Sequence, residues 1–178
     1  MSSLDLPGGR RIELEQADIT LAETDAIVNA ANGELNHGGG VAQAIARAAG
    51  PELVRESQAH SKVEVGDAGV TSGGLLYAPW VVHAVGPIWN GGNSNEVGLL
   101  ASAYGASIAL ADNLGAKSLS MPSISTGIFG FPRELAAETA VAAVVEALAA
   151  TANLKLARWC LFSNEDFKAY ADALRLRA

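Results

Sequence analysis

Cysteine is almost missing from this chain: Cys160 is the single one among 178 residues. No disulfide can form within the chain, which excludes a disulfide-framed secreted fold and fits a reducing cytoplasm. Positive charge is scarce too, with 12 Lys and Arg against 19 Asp and Glu and a formal net charge of −7. Non-specific binding to nucleic acid or to a membrane surface needs a basic face, so neither is expected. A nucleotide held by uncharged backbone N–H groups remains compatible with that charge. Aromatic residues make up only 6% of the chain, so Ala, Val, Leu and Ile must build the core. No apolar run approaches the roughly 20 residues of a membrane helix. The longest candidate, Leu135–Ala150, is interrupted by Glu138 and Glu146. Met1–Gly9 lacks the apolar stretch of a signal peptide, so a cytoplasmic location is expected. No internal repeat or linker is visible, and neither a Walker loop nor a Gly-x-Gly-x-x-Gly fingerprint occurs.

What is present is a chain that is 49% hydrophobic and contains 19 Gly. The length suits one well-buried domain, expected to span 1–178, and a monomer is expected because no exposed apolar stripe stands out. Ile12 and Leu14 alternate with Glu13 and Glu15, which predicts a half-exposed strand in Arg11–Thr20, compatible with antiparallel pairing at a sheet edge. Ala26–Ala30, Ala68–Thr71, Trp80–Val85, Ser118–Pro122 and Leu156–Phe162 read as further strands. Helices are predicted over Val41–Ala49, Pro51–Ser61, a stretch capped by Ser94 or Asn95 and ending near Leu114, Arg133–Ala150, and Glu165–Leu174. Strands alternate with helices from Ala26 onward. That order predicts an α/β fold: a three-layer α-β-α sandwich around a central mixed, mostly parallel sheet.

Two glycine-rich loops stand out, Asn29–Val41 and Ser123–Gly130. Each follows an apolar strand and precedes a helix, so both should lie on the rim at the carboxyl ends of the strands. Gly38-Gly39-Gly40 would let a phosphate or ribose approach the backbone closely. The helix beginning near Val41 would direct its free N–H groups and positive dipole end at that ligand. Two such loops on one rim suggest a diphosphate clamped between them.

These residues carry a resemblance. Asn29-Ala30-Ala31-Asn32, His37-Gly38-Gly39-Gly40-Val41 and Ser125-Thr126-Gly127-Ile128-Phe129-Gly130 are similar to the two hallmark loops of macrodomains, proteins that bind ADP-ribose. Ala17-Asp18-Ile19-Thr20 and Val82-His83-Ala84-Val85-Gly86-Pro87 extend the similarity over roughly Leu14 to Phe162. The resemblance implies a role for each matching residue. Asp18 would accept a hydrogen bond from the adenine amino group, Ile19 would contact the base, and Phe162 would stack on it. Gly127, Ile128 and Phe129 would wrap the diphosphate through backbone N–H groups, with Gly40 and Val41 closing from the other side and Ser125 and Thr126 as further ligand contacts. Ala31, Asn32, His37, Gly38 and Gly39 would line the distal ribose. Taken singly, these residues have plainer readings. Asp18 suits a cap, His37 a surface loop, His83 a satisfied core position, and both phenylalanines a core. Asn29 is expected to brace its own loop.

The sequence also departs from part of the family. MacroD-like hydrolases carry an Asp after Gly-Gly-Gly-Val and often a His further on, where this chain has Ala42 and Ala46. An Ala cannot move a proton, so that acid–base route is missing. The first loop resembles viral and archaeal macrodomains and the second resembles MacroD. The expected activity is hydrolysis of ADP-ribosyl esters on Asp or Glu, or of small esters such as O-acetyl-ADP-ribose, with Asn32, His37 and Phe129 as the catalytic candidates. The alternative is an ADP-ribose reader without turnover. ADP-ribosylated protein is the expected partner and ADP-ribosylated DNA a conceivable one. No cofactor or metal is called for.

Overall fold

The computed structural model describes residues 2–177. In chain order the elements are β1 (Ser3–Leu6), β2 (Arg10–Glu15), a 3-10 turn (Ile19–Leu21), β3 (Ala26–Ala31), α1 (Gly40–Ala49) and α2 (Pro51–Ala59). There follow β4 (Ala68–Ser72), β5 (Trp80–Val85), α3 (Glu96–Asn113), β6 (Ser118–Met121), α4 (Arg133–Ala149), β7 (Leu156–Cys160) and α5 (Asn164–Arg175). The strands form one seven-stranded sheet in the order β1-β2-β7-β6-β3-β5-β4. The five central strands run parallel, and β1 and β4 pair antiparallel at the two edges. This is the expected mixed, mostly parallel α/β sandwich.

Period-two burial divides the side chains between two layers. Ala26 and Val28 of β3, Val82 and Ala84 of β5, and Ala157 and Trp159 of β7 pack in the larger core with α3, α4 and α5. Ile27, Val81 and Cys160 point the other way, into a smaller core with Ile45 and Ala49 of α1 and Leu53 of α2. The larger core is rich in alanine: Ala136, Ala137 and Ala140 of α4 are fully buried and bring that helix close to α3. Truncating a large core residue such as fully buried Ile45 to Ala would cost about 2–5 kcal/mol. On the second face, α1 and α2 cover the β3–β5–β4 half of the sheet. Over β2 and β7, Arg158 instead meets Glu13 at 2.9 Å, and Arg11 meets Glu13 at 2.9 Å. Glu13 and Arg158 are opposite neighbours in register, so the polar half of the strand alternation has partners in solvent.

Several sequence expectations need correction. The first alternating strand ends at Glu15, and it is not an edge strand: β2 pairs parallel with β7. The edge belongs to β1, which pairs antiparallel with β2 and is too short and polar to stand out in the sequence. Asp18 caps the 3-10 turn, its Oδ1 accepting from Thr20 N–H at 2.9 Å. Asn95 precedes α3 in the left-handed region, φ 58°, and its side chain caps nothing. The last strand stops at Cys160, which leaves Phe162 beyond the sheet.

One break in the sheet positions the site. β3 stays paired with β5 along its whole length, but it meets β6 only through Ala26–Leu119 and Ile27–Ser120. Beyond Ile27 the two strands part, and the two glycine-rich loops leave from opposite sides of the gap. The fork lies at the carboxyl ends of parallel strands, where a ligand crevice is expected.

Candidate functional site

A cleft of about 720 Å³ runs along this rim, from the end of β2 and β7 across β6 and β3 to the end of β5. Among the described residues its wall holds no Lys, Arg or His, and its carboxylates, Asp18 and Asp166, both sit at the β7 end. Any anion it takes must therefore be held by uncharged dipoles, those of the backbone and of the amide and hydroxyl side chains in the wall.

Those dipoles are in place. Gly40, Val41 and Ala42 open α1, and the first amide bonded within that turn is Gln43, to Gly39 O at 3.3 Å. The three preceding N–H groups are left for a ligand. Opposite them, among the described residues, the N–H groups of Ser125, Thr126, Gly127, Ile128 and Phe129 donate to no protein acceptor. The loop carrying them is fixed from behind. Phe131 N–H donates to Ser125 O and Gly130 N–H to Gly127 O, both at 3.0 Å. The Tyr104 hydroxyl donates to Pro122 O and accepts from Ile124 N–H, each at 3.0 Å, and Tyr170 donates to Ser123 Oγ at 3.0 Å. Burial pushes both tyrosine hydroxyls above their ordinary pKa, so they stay protonated donors. Gly86, at the end of β5, fits under this loop without room to spare: a Cβ there would lie 2.2 Å from Ser125 Oγ.

At the β5 end, Asn32 closes its own loop. Its Oδ1 accepts from Asn36 N–H at 3.0 Å, and its Nδ2 donates to Asn36 O at 3.1 Å. Behind the loop, Asn29 Nδ2 donates to His83 Nδ1 at 3.0 Å, and His83 Nε2 meets Thr71 Oγ1 at 2.8 Å. With the amide donating to Nδ1, the ring proton lies on Nε2. His83 is fully buried, and burial, helped by its neighbours His37 and His60, lowers its pKa to about 3. It is a neutral brace. At the β7 end the Phe162 ring is 90% exposed, as is the side chain of Ile128 between the two ends. Exposure so large is unusual for apolar groups lining a cleft, and it leaves two apolar faces for a flat or ring-shaped ligand.

A family model for the Macro domain matches residues 28–140. The chain belongs to the macrodomain family. A macro domain-containing protein of Cupriavidus necator is 45% identical over 170 residues, covering 93% of this chain and 98% of that one. A protein of Cronobacter turicensis named O-acetyl-ADP-ribose deacetylase is 44% identical over 166 residues, covering 90% and 93%. Among solved structures, an Oceanobacillus iheyensis macrodomain mutant with ADPR superposes with a TM-score of 0.92 at 35% identity, covering 99% of this chain and 98% of that one. A Trypanosoma brucei macrodomain in complex with ADP-ribose gives 0.85 at 32%, covering 92% and 68%.

The macrodomain cleft gathers most of the residues singled out in the sequence. Asp18, Ile19, Ala31, Asn32, Gly39, Gly40 and Val41 line one side, and Ser125, Thr126, Gly127, Ile128, Phe129 and Phe162 the other. His37 is the exception, because it is not part of the wall. Its Nε2 meets Ser57 Oγ of α2 at 2.9 Å, and its ring lies 5.6 Å from that of His83. Partial burial lowers its pKa. It supports the loop from behind and is not positioned to act on a ligand. Conversely, sequence reasoning missed Gly86 and Asp166 as wall residues, and gave Asn36 and Ser123 no role beyond their place in the two loops. Gly86 was visible as the glycine ending an apolar strand. Asp166 gave no signal, since an acid in the first turn of α5 also reads as an ordinary helix start.

Proposed function

We propose that this macrodomain binds ADP-ribose along the cleft and hydrolyses mono-ADP-ribosyl esters, either on protein Asp and Glu or on small molecules such as O-acetyl-ADP-ribose. The observation that carries the binding is the pair of opposed runs of unbonded N–H groups, at Gly40–Ala42 and Ser125–Phe129, in a cleft without a cation. They suit a diphosphate bridging the gap between β3 and β6. Phe162 and Asp18 then take adenine at one end, and Asn32 and Phe129 take the distal ribose at the other. Relatives named O-acetyl-ADP-ribose deacetylase, at 44% and 43% identity, support an ester substrate.

For a protein-linked ester, water attacks the anomeric carbon, the bond from that carbon to the carboxylate oxygen breaks, and the carboxylate leaves. The cleft offers no base at that end, since Ala42 opens α1 and both wall carboxylates lie at the other. The attacking water is oriented by a diphosphate oxygen, and its proton passes to solvent. Turnover then rests on the placement of ribose by Asn32 and Phe129.

A reader without turnover is the competing reading, favoured by Ala42. The test is incubation with O-acetyl-ADP-ribose and, separately, with a mono-ADP-ribosylated acidic peptide, following products by chromatography beside an Asn32→Ala control. Release above that control is expected. Tight ADP-ribose binding with release no greater than the control would establish the reader.

A further inference from the structure

Glu96 is the one buried acid of the described residues, 1% exposed, and no cation pairs with it. A carboxylate in that position needs hydrogen bonds to offset its desolvation. It receives them from the backbone of the loop before α3. Oε1 accepts from Asn90 N–H at 2.9 Å and Gly92 N–H at 3.1 Å, and Oε2 accepts from Ser94 N–H at 2.7 Å. Burial alone would raise its pKa, but its own backbone N–H together with these bonds outweighs that and holds it below the ordinary carboxylate value. The loop so gathered closes on Trp89. A Cβ on Gly92 would lie 3.0 Å from the Trp89 ring, and that ring packs on Phe131 with centroids 4.7 Å apart. Trp89 N–H in turn donates to Phe129 O at 2.8 Å.

A chain of contacts therefore runs from a carboxylate outside the cleft wall to a residue inside it. Trp89 follows β5, so the bond ties Phe129 to the β5 end of the rim, far from Phe162. We propose that Glu96 is a positioning residue: by folding the 90–94 loop around its carboxylate it fixes Phe129, and so sets the preference of the cleft for a ligand carrying a distal ribose over one ending at the diphosphate. This rests on the ADP-ribose reading above.

The variant is Glu96→Gln. Its amide keeps one acceptor for Asn90 and Gly92 but turns an N–H toward Ser94 N–H, so the loop must open. Amide hydrogen exchange at Trp89, Asn90, Gly92 and Ser94 should quicken by about 10-fold or more, with the amides of Thr20 and Leu161 unchanged. Calorimetry should show the ratio of ADP-ribose to ADP affinity falling about 10-fold, with ADP affinity held. Ester turnover should drop about 100-fold. Gly92→Ala crowds Trp89 and also strains a backbone at φ 86°, so it opens the same loop with the carboxylate left intact; it should repeat the pattern and stands in if the first variant does not fold. Unchanged exchange overturns the proposal, as does faster exchange with an unchanged affinity ratio. Equal loss of ADP and ADP-ribose affinity, with lowered melting temperature, would reduce Glu96 to a structural role and also overturn it. A wild-type protein that binds neither ligand would instead reject the ADP-ribose reading, while the exchange data still judge the link from Glu96 to Trp89.

Discussion

At the β7 end of the cleft the groups facing the ligand stand almost alone, whereas at the β5 end the loops rest on a second layer, although Asn32 itself is held only within its own loop. Phe162 lies past the last strand with its ring in solvent, and Asp18 is tied only to its neighbour Thr20, through the backbone bond and a hydroxyl contact at 2.8 Å. At the other end Asn29 leans on His83 and Thr71, Phe129 on Trp89, and Gly86 supports Ser125. The difference separates two tasks. An exposed ring gains most when a base covers it, so under the proposed function the β7 end would supply affinity and need little internal order. Placing a reacting ribose requires a rigid frame before the ligand arrives, and the β5 end has the buried bonds to provide one. Substitutions at the β5 end should therefore damage fold and function together, and those at the β7 end binding alone.

The largest effect expected at the braced end is from Gly86→Ala. The new methyl would overlap Ser125 Oγ and lie 2.5 Å from Ile124 Cγ2. Overpacking of this kind costs about 1–3 kcal/mol. Because the clash is with the loop proposed to hold the diphosphate, ADP-ribose affinity should fall by up to about 100-fold. Urea unfolding and calorimetry on the same variant would check both. A variant as stable as wild type and binding as well would show that the loop yields without consequence, and the contrast between the ends would fail.

The braced end should also be sensitive to acid. His83 has a pKa lowered from 6.5 to about 3 in the fold. Below pH 6.5 the unfolded chain binds a proton that the folded chain refuses, so stability rises with pH across that window. It is complete above the unfolded pKa and is lost as pH falls from 6.5 toward 3. One such group contributes a slope of about 1.4 kcal/mol per pH unit. His37, its pKa also lowered by burial, adds in the same direction. Urea midpoints at pH 7 and pH 5 should differ accordingly, with most of the difference removed in His83→Gln. An unchanged pH dependence in that variant would clear His83.

Much of this asymmetry was legible in the sequence only at one level. The glycine-rich loops and the strands before them are local patterns, so the wall of the cleft could be read residue by residue. The second layer could not, because most of it depends on partners distant in the chain, and where it is local, as at Glu96, an acid in the first turn of a helix reads as an ordinary helix start. Nothing near His37 announces that its ring turns toward Ser57 on α2, and nothing near Glu96 shows a carboxylate folded back under its own loop. Edge strand β1 was lost for a related reason: its order comes from pairing with β2, and not from the pattern of Ser3–Leu6.

The exposed end should respond in binding only. Phe162→Ala should weaken ADP-ribose by roughly 10- to 100-fold, the scale of about 1–3 kcal/mol for one base on one ring. Thermal stability should be unchanged, because a ring already 90% exposed loses little burial. A fall in melting temperature of several degrees would mean that Phe162 packs in solution, against the contrast drawn here.

The smallest effect separates the two uses of Asp18. Its Oδ1 already serves Thr20, as an ordinary cap would, and Ala at this position would confound loss of the cap, about 1 kcal/mol, with loss of recognition. Asn keeps an acceptor for Thr20 and replaces the other oxygen with an N–H donor. Asp18→Asn should therefore melt like wild type while binding ADP-ribose several-fold more weakly, since a donor now faces the adenine amino group. The loss should shrink for the inosine analogue, whose ring carbonyl accepts the new donor. Equal losses for both ligands would mean that Asp18 acts only as a cap, and the base would then be recognised by Phe162 and Ile19 without an acid.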